Sequence, residues 1–218
     1  MNSGYQEMFR QKKVCVIIPT YNNAGTLRGV IKTVLDYTDQ VILVNDGSTD
    51  ATDRALKEFP QLQLVTYSKN RGKGYALRQG FRRAIASGYD YAITIDSDGQ
   101  HFTDDLPLFL EKLTDHPNAI IIGAPNMEQA GVPGKSSFGN KFSNFWFWIE
   151  TGIKRSDTQS GYRLYPLKPL IDLKFVSDKY EFEIEVIVRA AWKGIEVIEV
   201  PVKVFYANKE KRISHFRP

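Results

Sequence analysis

Residues 91–101 read YAITIDSDGQH and decide how the rest of the chain is interpreted. Their first five residues are apolar or β-branched, a pattern that predicts a short buried strand. Asp96 and Asp98 follow two positions apart, and alternate side chains of an extended chain point the same way. Paired carboxylates of this kind suit Mg²⁺ or Mn²⁺, which often take further ligands from substrate phosphates. A strand followed by a ligand-free Asp-Gly turn explains the same residues equally well.

Three more apolar runs precede this strand, and helical patterns separate them. The runs cover residues 14–18, 41–44 and 62–67, and Pro19 is expected to end the first of them. Strands that alternate with helices predict right-handed βαβ units. We therefore expect an α/β fold with a Rossmann-like, mostly parallel central sheet and helices on both faces.

Polar loops follow all four predicted strands, with the sequences PTYNN, NDGSTD, NRGKG and DSDGQH. Because the carboxyl ends of parallel strands meet at one edge of a sheet, these loops are expected to form a ligand site. Asp46 could accept hydrogen bonds from a ribose or base, while Gly72 and Gly74 could let backbone N–H groups approach a phosphate. Arg71 and Lys73 add positive charge. The set predicts a nucleotide-diphosphate ligand, although the chain has neither a G-x-G-x-x-G after the first strand nor a P-loop.

The length of 218 residues suits one domain with a sizeable core, and the single cysteine excludes a disulfide framework. We expect an N-terminal extension at 1–12, the main domain at 13–206 and a basic tail at 207–218 that leads to a missing membrane segment or second domain. The net charge of +4 equals the excess carried from Lys203 onward, where five basic residues accompany one acidic residue. Such a tail suits phosphates or an anionic membrane surface, although a solvated run of charges is the commoner explanation, and no nucleic-acid partner is expected. Neither a signal sequence nor an apolar window of about 18 residues is present, so a cytoplasmic setting is expected.

Residues 138–149 read FGNKFSNFWFWI and predict a helix dense in aromatic side chains. Such a helix is most often part of the core, but its apolar residues run almost all round, which leaves a role at a membrane interface open. Before it, residues 125–135 have a loop composition that suits either a mobile lid or an inert connection. After it we expect an extended segment at 158–166, a helix at 180–192 and a strand at 195–205.

Five segments occur in one order and spacing along the chain: IIPTYNN, VILVNDGSTDAT, NRGKGYALRQGF, AITIDSDGQH and QSGYRLYP. Together they resemble glycosyltransferase family 2 with the GT-A fold, in the branch similar to the dolichol-phosphate or polyprenyl-phosphate mannosyltransferases. The resemblance covers residues 13–206. The early motifs are shared by the whole family, whereas DSDGQH, SGYRLYP and FEIEVIVRAAWKG are similar to this branch more narrowly.

The resemblance implies a nucleotide pocket and an acceptor site. The pocket would be lined by Pro19, Tyr21, Asn23 and Asp46. Asn23 stands where relatives often have Glu. Arg212 and Ser214 lie roughly where the relatives place a basic loop against the acceptor, although the sequence here is RISHF. His101 and His215 are interpreted as structural residues.

The resemblance also implies a metal site and a reaction. Mg²⁺ or Mn²⁺ would be held by Asp96 and Asp98, which match the family's DxD motif, and by Gln100. Arg163, within SGYR, would meet a phosphate near the reaction centre. The reaction implied is transfer of one sugar with inversion, in which the metal and either Lys73 or Arg163 stabilise the departing diphosphate. Asp98 and Arg163 would thus be catalytic residues.

The nature of the acceptor decides whether a general base is needed. A polyprenyl phosphate is already anionic near neutral pH because its second pKa is about 6. A saccharide or glycolipid hydroxyl, the alternative acceptor, needs a base, and Asp157 is the candidate unless it is only a turn or cap residue. A lipid acceptor would place the enzyme in the cytoplasm at the inner face of a membrane. The remaining alternatives are a non-catalytic nucleotide-binding module and a sugar-1-phosphate nucleotidyltransferase, which would carry a Gly-rich loop in place of PTYNN.

Overall fold

The computed structural model of the protein describes residues 3–125 and 138–205. The strands of this part are β1 (Val14–Thr20), β2 (Val41–Asp46), β3 (Gln63–Tyr67), β4 (Tyr91–Thr94), β5 (Ile120–Pro125), β6 (Arg163–Pro166) and β7 (Val197–Val202). Its helices are α1 (Ser3–Gln11), α2 (Ala24–Leu35), α3 (Thr52–Leu56), α4 (Lys73–Ala86), α5 (Leu106–Asp115), α6 (Phe138–Thr151), α7 (Leu167–Ile171) and α8 (Phe182–Trp192). A 3₁₀ turn at Thr103–Asp105 precedes α5.

The strands form one seven-stranded sheet with the order β3-β2-β1-β4-β6-β5-β7. Neighbouring strands are parallel except that β6 runs antiparallel to both β4 and β5. The predicted α/β fold with a mostly parallel sheet is therefore confirmed. The expectation that Pro19 ends the first strand is wrong, because β1 continues to Thr20 and Pro19 pairs with Val44. A proline near the end of a strand removes only one N–H donor from the ladder.

Helices cover both faces of the sheet and create two apolar clusters. Val14, Val16 and Ile18 belong to one cluster, whereas Cys15 and Ile17 belong to the other. This alternation follows from the two-residue repeat of a strand and buries β1 on both faces. The first cluster is completed mainly by α1, α2 and α5, and the second by α4 and α8. The layers hold the carboxyl ends of β1, β2 and β4 at one edge.

The two ends of the chain differ in what the structure describes. Residues 1–12, predicted as an extension, include α1, whose Phe9 is fully buried in the first apolar cluster. The predicted loop at 125–135, apart from Pro125, lies outside the described residues, and so does the basic tail at 207–218 with Arg212, Ser214 and His215. None of the described helices combines the length and hydropathy needed to cross a bilayer.

Helix α6 exposes most of its large apolar side chains. Phe147 is fully buried, but five residues are exposed, namely Phe142, Phe145, Trp146, Trp148 and Ile149. The predicted preference for core packing is therefore wrong for these five residues. The inward face of α6 is made by Ser143 and Phe147.

Candidate active site

The polar loops after β1, β2 and β3 are joined to one another by hydrogen bonds and close packing. The backbone N–H of Asn22 donates to Ser48 Oγ at 3.0 Å, and Asn22 Oδ1 accepts from the N–H of Thr49 at 2.8 Å. A Cβ at Gly47, which has a φ of 67°, would lie 2.5 Å from the backbone nitrogen of Asn70. Only glycine allows both this conformation and this approach. The loops therefore meet at one edge, as predicted.

Asp46 fixes the NRGKG loop. Its Oδ1 accepts from the N–H of Arg71 at 2.8 Å, and its Oδ2 accepts from the N–H of Gly72 at 2.9 Å and from Asn70 Nδ2 at 3.0 Å. The carboxylate is almost completely buried. Burial raises the pKa of Tyr67, and the nearby charge of Asp46 raises it further. Asp46 thus holds the backbone of the NRGKG loop in place. Its predicted contact with a ribose or base stays a prediction.

The first turn of α4 packs against residues 178–182. The N–H of Gly74 donates to the Lys179 carbonyl at 3.1 Å, and the N–H of Tyr75 donates to the Asp178 carbonyl at 2.8 Å. A Cβ at Gly74 would lie 2.5 Å from Phe182 Cβ. The N–H groups of Gly72 and Gly74 are both bonded within the protein, to Asp46 and to the Lys179 carbonyl. Close packing also accounts for the two glycines, and the expectation that they let backbone N–H groups approach a phosphate stays a prediction.

The turn that carries the two paired aspartates is held by the end of the loop after β1 and by the first turn of α2. Asn23 Nδ2 donates to Ser97 Oγ at 2.8 Å, and Thr26 Oγ1 donates to the Ser97 carbonyl at 2.6 Å. The N–H of Gln100 donates to Asp98 Oδ1 at 3.0 Å. Asn23, predicted to line the nucleotide pocket, therefore anchors the residue between the two aspartates.

A buried charge cluster lies beside this turn and consists of Lys73, Asp96 and Glu183. Lys73 Nζ is 2.7 Å from Asp96 Oδ1 and 3.0 Å from Glu183 Oε1. The side chains of Lys73, Asp96 and Glu183 are 14%, 25% and 6% exposed. A Cβ at Gly161 would lie 2.5 Å from Asp96 Oδ2 and 2.6 Å from Lys73 Nζ, so the SGYR segment presses directly on the charge cluster. Lys73 and Asp96 are brought together as the loop positions suggested, and the SGYR segment lies beside them.

Glu183 is the site residue that the sequence did not reveal. It lies in the first turn of α8, more than one hundred residues from Lys73 in the chain. The available signal was the alternation of Glu181, Glu183 and Glu185 with apolar residues, since the three cannot share one face of a helix. A buried acid is rare unless it is paired. The pairing with Lys73 was not predictable because it depends on the packing of α8 against α4.

The charges of the cluster influence one another strongly. Burial alone would lower the pKa of Lys73, but the charges of Asp96 and Glu183 raise it above its ordinary value. Burial raises the pKa of Asp96, but Lys73, together with smaller contributions from His101 and Arg163, lowers it below its ordinary value. Asp98 is in the opposite situation, because burial and the charge of Asp96 both raise its pKa. The site therefore holds negative charge that Lys73 only partly balances.

The residues of this turn fit a divalent cation. Asp96 and Asp98 supply hard oxygen donors, and the raised pKa of Asp98 means that a further positive charge beside it would be stabilising. Gln100 adds an amide from the same turn. Over residues 3–125 and 138–205, no group of three or more His, Cys, Asp or Glu side chains is placed to enclose a metal. Mg²⁺ accepts such an open site because it commonly keeps waters and binds substrate phosphates.

Arg163 is fully buried and bonded to the protein backbone. Its Nε donates to the Ser160 carbonyl at 2.6 Å and its Nη2 donates to the Thr158 carbonyl at 2.9 Å. Its Nη1 donates to the Glu183 carbonyl. With no exposed surface, Arg163 does not face a substrate phosphate in this structure. It joins the SGYR segment to the start of α8, and its predicted contact with a phosphate near the reaction centre stays a prediction.

Asp157 forms the turn that leads into the SGYR segment. Its Oδ1 accepts from the N–H groups of Gln159 at 2.9 Å and Ser160 at 3.1 Å. Its own N–H donates to Glu199 Oε1 at 3.1 Å. This is the geometry of the turn-residue alternative, and the role of Asp157 as a general base stays a prediction.

The other predicted site residues lie around the same edge. Pro19 is buried in β1, and Tyr21 is partly buried in the loop that follows. The Arg71 guanidinium lies 4.1 Å from the centre of the Tyr75 ring at the exposed rim. The His101 ring packs 5.1 Å from the ring of Tyr162, and burial lowers its pKa.

The sheet order and the edge loops define a GT-A type glycosyltransferase fold. A profile for glycosyl transferase family 2 matches residues 15–172. The chain belongs to this family and is therefore a glycosyltransferase.

Proteins similar to this chain include two relatives and one solved structure that align over most of it. The UDP-N-acetylglucosamine--dolichyl-phosphate N-acetylglucosaminyltransferase of Methanococcus voltae is 26% identical over 219 residues, which cover 90% of this chain and 87% of the relative. The polyprenol monophosphomannose synthase of Mycolicibacterium smegmatis is 30% identical over 216 residues, which cover 93% of this chain and 80% of the relative. The structure of glucosyl-3-phosphoglycerate synthase from Mycobacterium tuberculosis with Mn²⁺, UDP and phosphoglyceric acid has a TM-score of 0.73 at 18% identity, over 95% of this chain and 75% of that one. At this identity the likeness concerns the fold.

Proposed function

We propose that the enzyme transfers one sugar, with inversion, from a nucleotide-diphosphate sugar to a polyprenyl phosphate at the inner face of a membrane. The observation that carries the proposal is the buried charge cluster at the carboxyl end of β4, with Asp98 beside it. The names of the two relatives support the acceptor class, since one carries the term dolichyl-phosphate and the other polyprenol monophosphomannose.

In this proposal Asp96, Asp98 and Gln100 hold Mg²⁺ or Mn²⁺. When bound, the cation would neutralise part of the charge on the departing nucleoside diphosphate. Lys73 keeps Asp96 ionised and oriented through their 2.7 Å contact. Arg71, exposed at the rim, is the side chain that we assign to the diphosphate of the donor. Pro19, Tyr21 and Asp46 would line the nucleotide pocket.

The contacts of Asp157 give this residue a role in the turn that does not require a hydroxyl acceptor. Asp157 Oδ1 already accepts two backbone hydrogen bonds and so serves the turn before SGYR. A hydroxyl acceptor needs a free base within hydrogen-bond reach. A phosphate monoester needs none near neutral pH because its second pKa is about 6.

A donor screen tests the proposed function. Release of nucleoside diphosphate is measured for a panel of nucleotide sugars with Mn²⁺ or Mg²⁺, with and without a polyprenyl phosphate, and the lipid product is identified by mass spectrometry. We expect one donor whose turnover requires both the cation and the lipid phosphate. Turnover of a donor that a saccharide stimulates and a polyprenyl phosphate does not would instead establish the hydroxyl-acceptor alternative.

A further inference from the structure

Helix α6 carries an apolar stripe that faces away from the protein. Phe142, Phe145, Trp146 and Ile149 occupy positions i, i+3, i+4 and i+7, and we call these four residues the aromatic stripe. This spacing places them on one side of a helix, the pattern that normally faces a core. All four are exposed, by 55%, 50%, 45% and 52%. An apolar side of this size in contact with water indicates a binding surface.

The rings of the aromatic stripe contact one another, and the apolar surface continues beyond α6. The rings of Phe142 and Phe145 each lie 6.0 Å from the Trp146 ring. Exposed Trp192, at the end of α8, donates from Nε1 to the Glu150 carbonyl at 2.9 Å, which extends the surface with another aromatic ring. Tryptophan with an apolar body and a polar edge is typical of the boundary between lipid and water.

Positive side chains accompany these rings. Lys154 Nζ lies 5.4 Å from the centre of the Trp148 ring, and exposed Lys193 follows Trp192. One acidic residue, Glu150, directly follows the aromatic stripe in the chain, and it is exposed. Aromatic residues flanked by lysines suit a surface of anionic lipid headgroups, which attract positive side chains.

The inward side of α6 is bonded to the active site. Asn144 Oδ1 accepts from Thr158 Oγ1 at 2.7 Å and from the N–H of Thr158 at 2.9 Å. The Thr158 carbonyl accepts from Arg163, and Gly161 of the same segment lies against Asp96. The surface and the charge cluster are thus connected by one short segment, which keeps the two at a fixed separation.

From this arrangement we infer that the aromatic stripe is the surface by which the enzyme lies on an anionic lipid bilayer. The inference rests on the proposed function, because an acceptor that is anchored in a bilayer must be reached from the bilayer surface. The stripe enters the boundary between headgroups and acyl chains, while Lys154 and Lys193 meet the lipid phosphates. The bonds from Asn144 to Thr158 then hold the active site next to that boundary.

The test compares two double variants of the whole chain in vesicle co-sedimentation. Trp146→Ser with Ile149→Ser removes half of the stripe and leaves Phe147 in the core. Leu64→Ser with Ile85→Ser is the matched control, because these side chains are 45% and 38% exposed and belong to β3 and α4. On vesicles of phosphatidylcholine with phosphatidylglycerol, we expect the stripe variant to bind about tenfold more weakly and the control to bind like the wild type. Equal binding by the stripe variant and the wild type would overturn the inference.

Two further measurements separate the inference from the proposed function. Sugar transfer to a water-soluble short-chain isoprenyl phosphate should be equal in the stripe variant and the wild type, while transfer to vesicle-embedded polyprenyl phosphate should fall in the variant. If the wild type transfers sugar to the soluble acceptor without binding vesicles, the surface fails and the function stands. If it binds vesicles through the stripe but transfers sugar to neither acceptor, the proposed function is wrong and the inferred surface is retained.

Sedimentation velocity tests whether the stripe is an interface between copies of the chain. If the wild type is a dimer, the stripe variant is a monomer and the variant still binds vesicles, the inference is wrong.

Discussion

The charge cluster and the aromatic stripe are opposite departures from the usual distribution of side chains. In the first, Lys73, Asp96 and Glu183 are withdrawn from water, and in the second, four large apolar side chains face it. Burial of charge is costly even when the charges are paired, and exposure of apolar area forgoes stabilisation. Neither arrangement is what stability alone would favour, so both point to function. They differ in origin, since the cluster is assembled from three distant segments and the stripe from one helix.

The largest effect on activity is expected at Asp98, beside the charge cluster. A substitution there tests whether this region serves function and not stability. Asp98→Asn should lower sugar transfer about a thousandfold, because the site loses a metal-binding carboxylate. It should not lower the free energy of unfolding, because the raised pKa of Asp98 shows that its charge is unfavourable in the folded protein. Steady-state kinetics and urea unfolding measure the two quantities. Asp39→Asn, at an exposed ion pair with Arg10, is the control and should keep its activity.

A second prediction concerns the glycine that presses on the charge cluster. Gly161→Ala should lower transfer about a hundredfold, because the new Cβ displaces the Asp96 carboxylate. The contacting atoms are the ends of flexible side chains, so the melting temperature should change little. Gly29→Ala in α2, where a Cβ meets nothing within 4 Å, should keep activity and gain about 0.5–1 kcal/mol of stability. Full activity of Gly161→Ala would show that the position of Asp96 is unimportant.

The third prediction separates positioning from phosphate binding at Arg163. Arg163→Met should lower the free energy of unfolding by about 3–5 kcal/mol, because it leaves the carbonyls of Thr158, Ser160 and Glu183 buried without a donor. Arg189→Met, which loses only a partly exposed pair with Glu185, should cost at most about 1 kcal/mol. Chemical denaturation measures both variants. If the Arg163→Met protein has normal stability but a lower rate of sugar transfer, the predicted contact between Arg163 and a phosphate is supported instead.

The smallest expected effect concerns Glu185. Its carboxylate accepts hydrogen bonds from the N–H groups of Val176 and Ser177, just before the residues 178–182 that pack on α4. Burial raises the pKa of Glu185, but hydrogen bonds from the N–H groups of Ser177 and Val176 lower it below its ordinary value overall. A lowered folded-state pKa contributes stability above the unfolded value of about 4.3 and loses it as the pH falls through the folded value. The wild type should therefore be more stable than Glu185→Gln at pH 7, with a difference that shrinks below about pH 4. A difference that stays constant with pH in thermal unfolding would contradict this.

The sequence predicted what depends on neighbouring residues. The alternation of apolar runs and helices led to the α/β sheet, and the i, i+2 spacing of Asp96 and Asp98 led to a polar site at its edge. Glu183 and the backbone partners of Arg163 were missed because they depend on how distant segments pack. The antiparallel direction of β6 has the same cause, since a four-residue strand gives no local sign of its direction.

The exposed side of α6 shows the opposite limit of sequence reasoning. Its residues are placed at helical spacing, so the pattern is read correctly, but the same pattern serves a core and a lipid surface. The structure shows that this side is exposed and that the helix packs through its other side, where Ser143 is buried and Asn144 bonds to Thr158. The apolar pattern of α6 therefore says less about which side of the helix faces the protein than the polar contacts on its other side do.

We propose that the carboxylates of Asp96 and Asp98, at the end of β4, hold a catalytic divalent cation. Mn²⁺ binding tests this proposal most directly. Electron paramagnetic resonance of Mn²⁺, titrated with enzyme in the presence of nucleoside diphosphate, counts the bound ions. We predict one site in the wild type and in Asp39→Asn, and at least about tenfold weaker binding in Asp98→Asn. Equal Mn²⁺ affinity in all three proteins would contradict the claim.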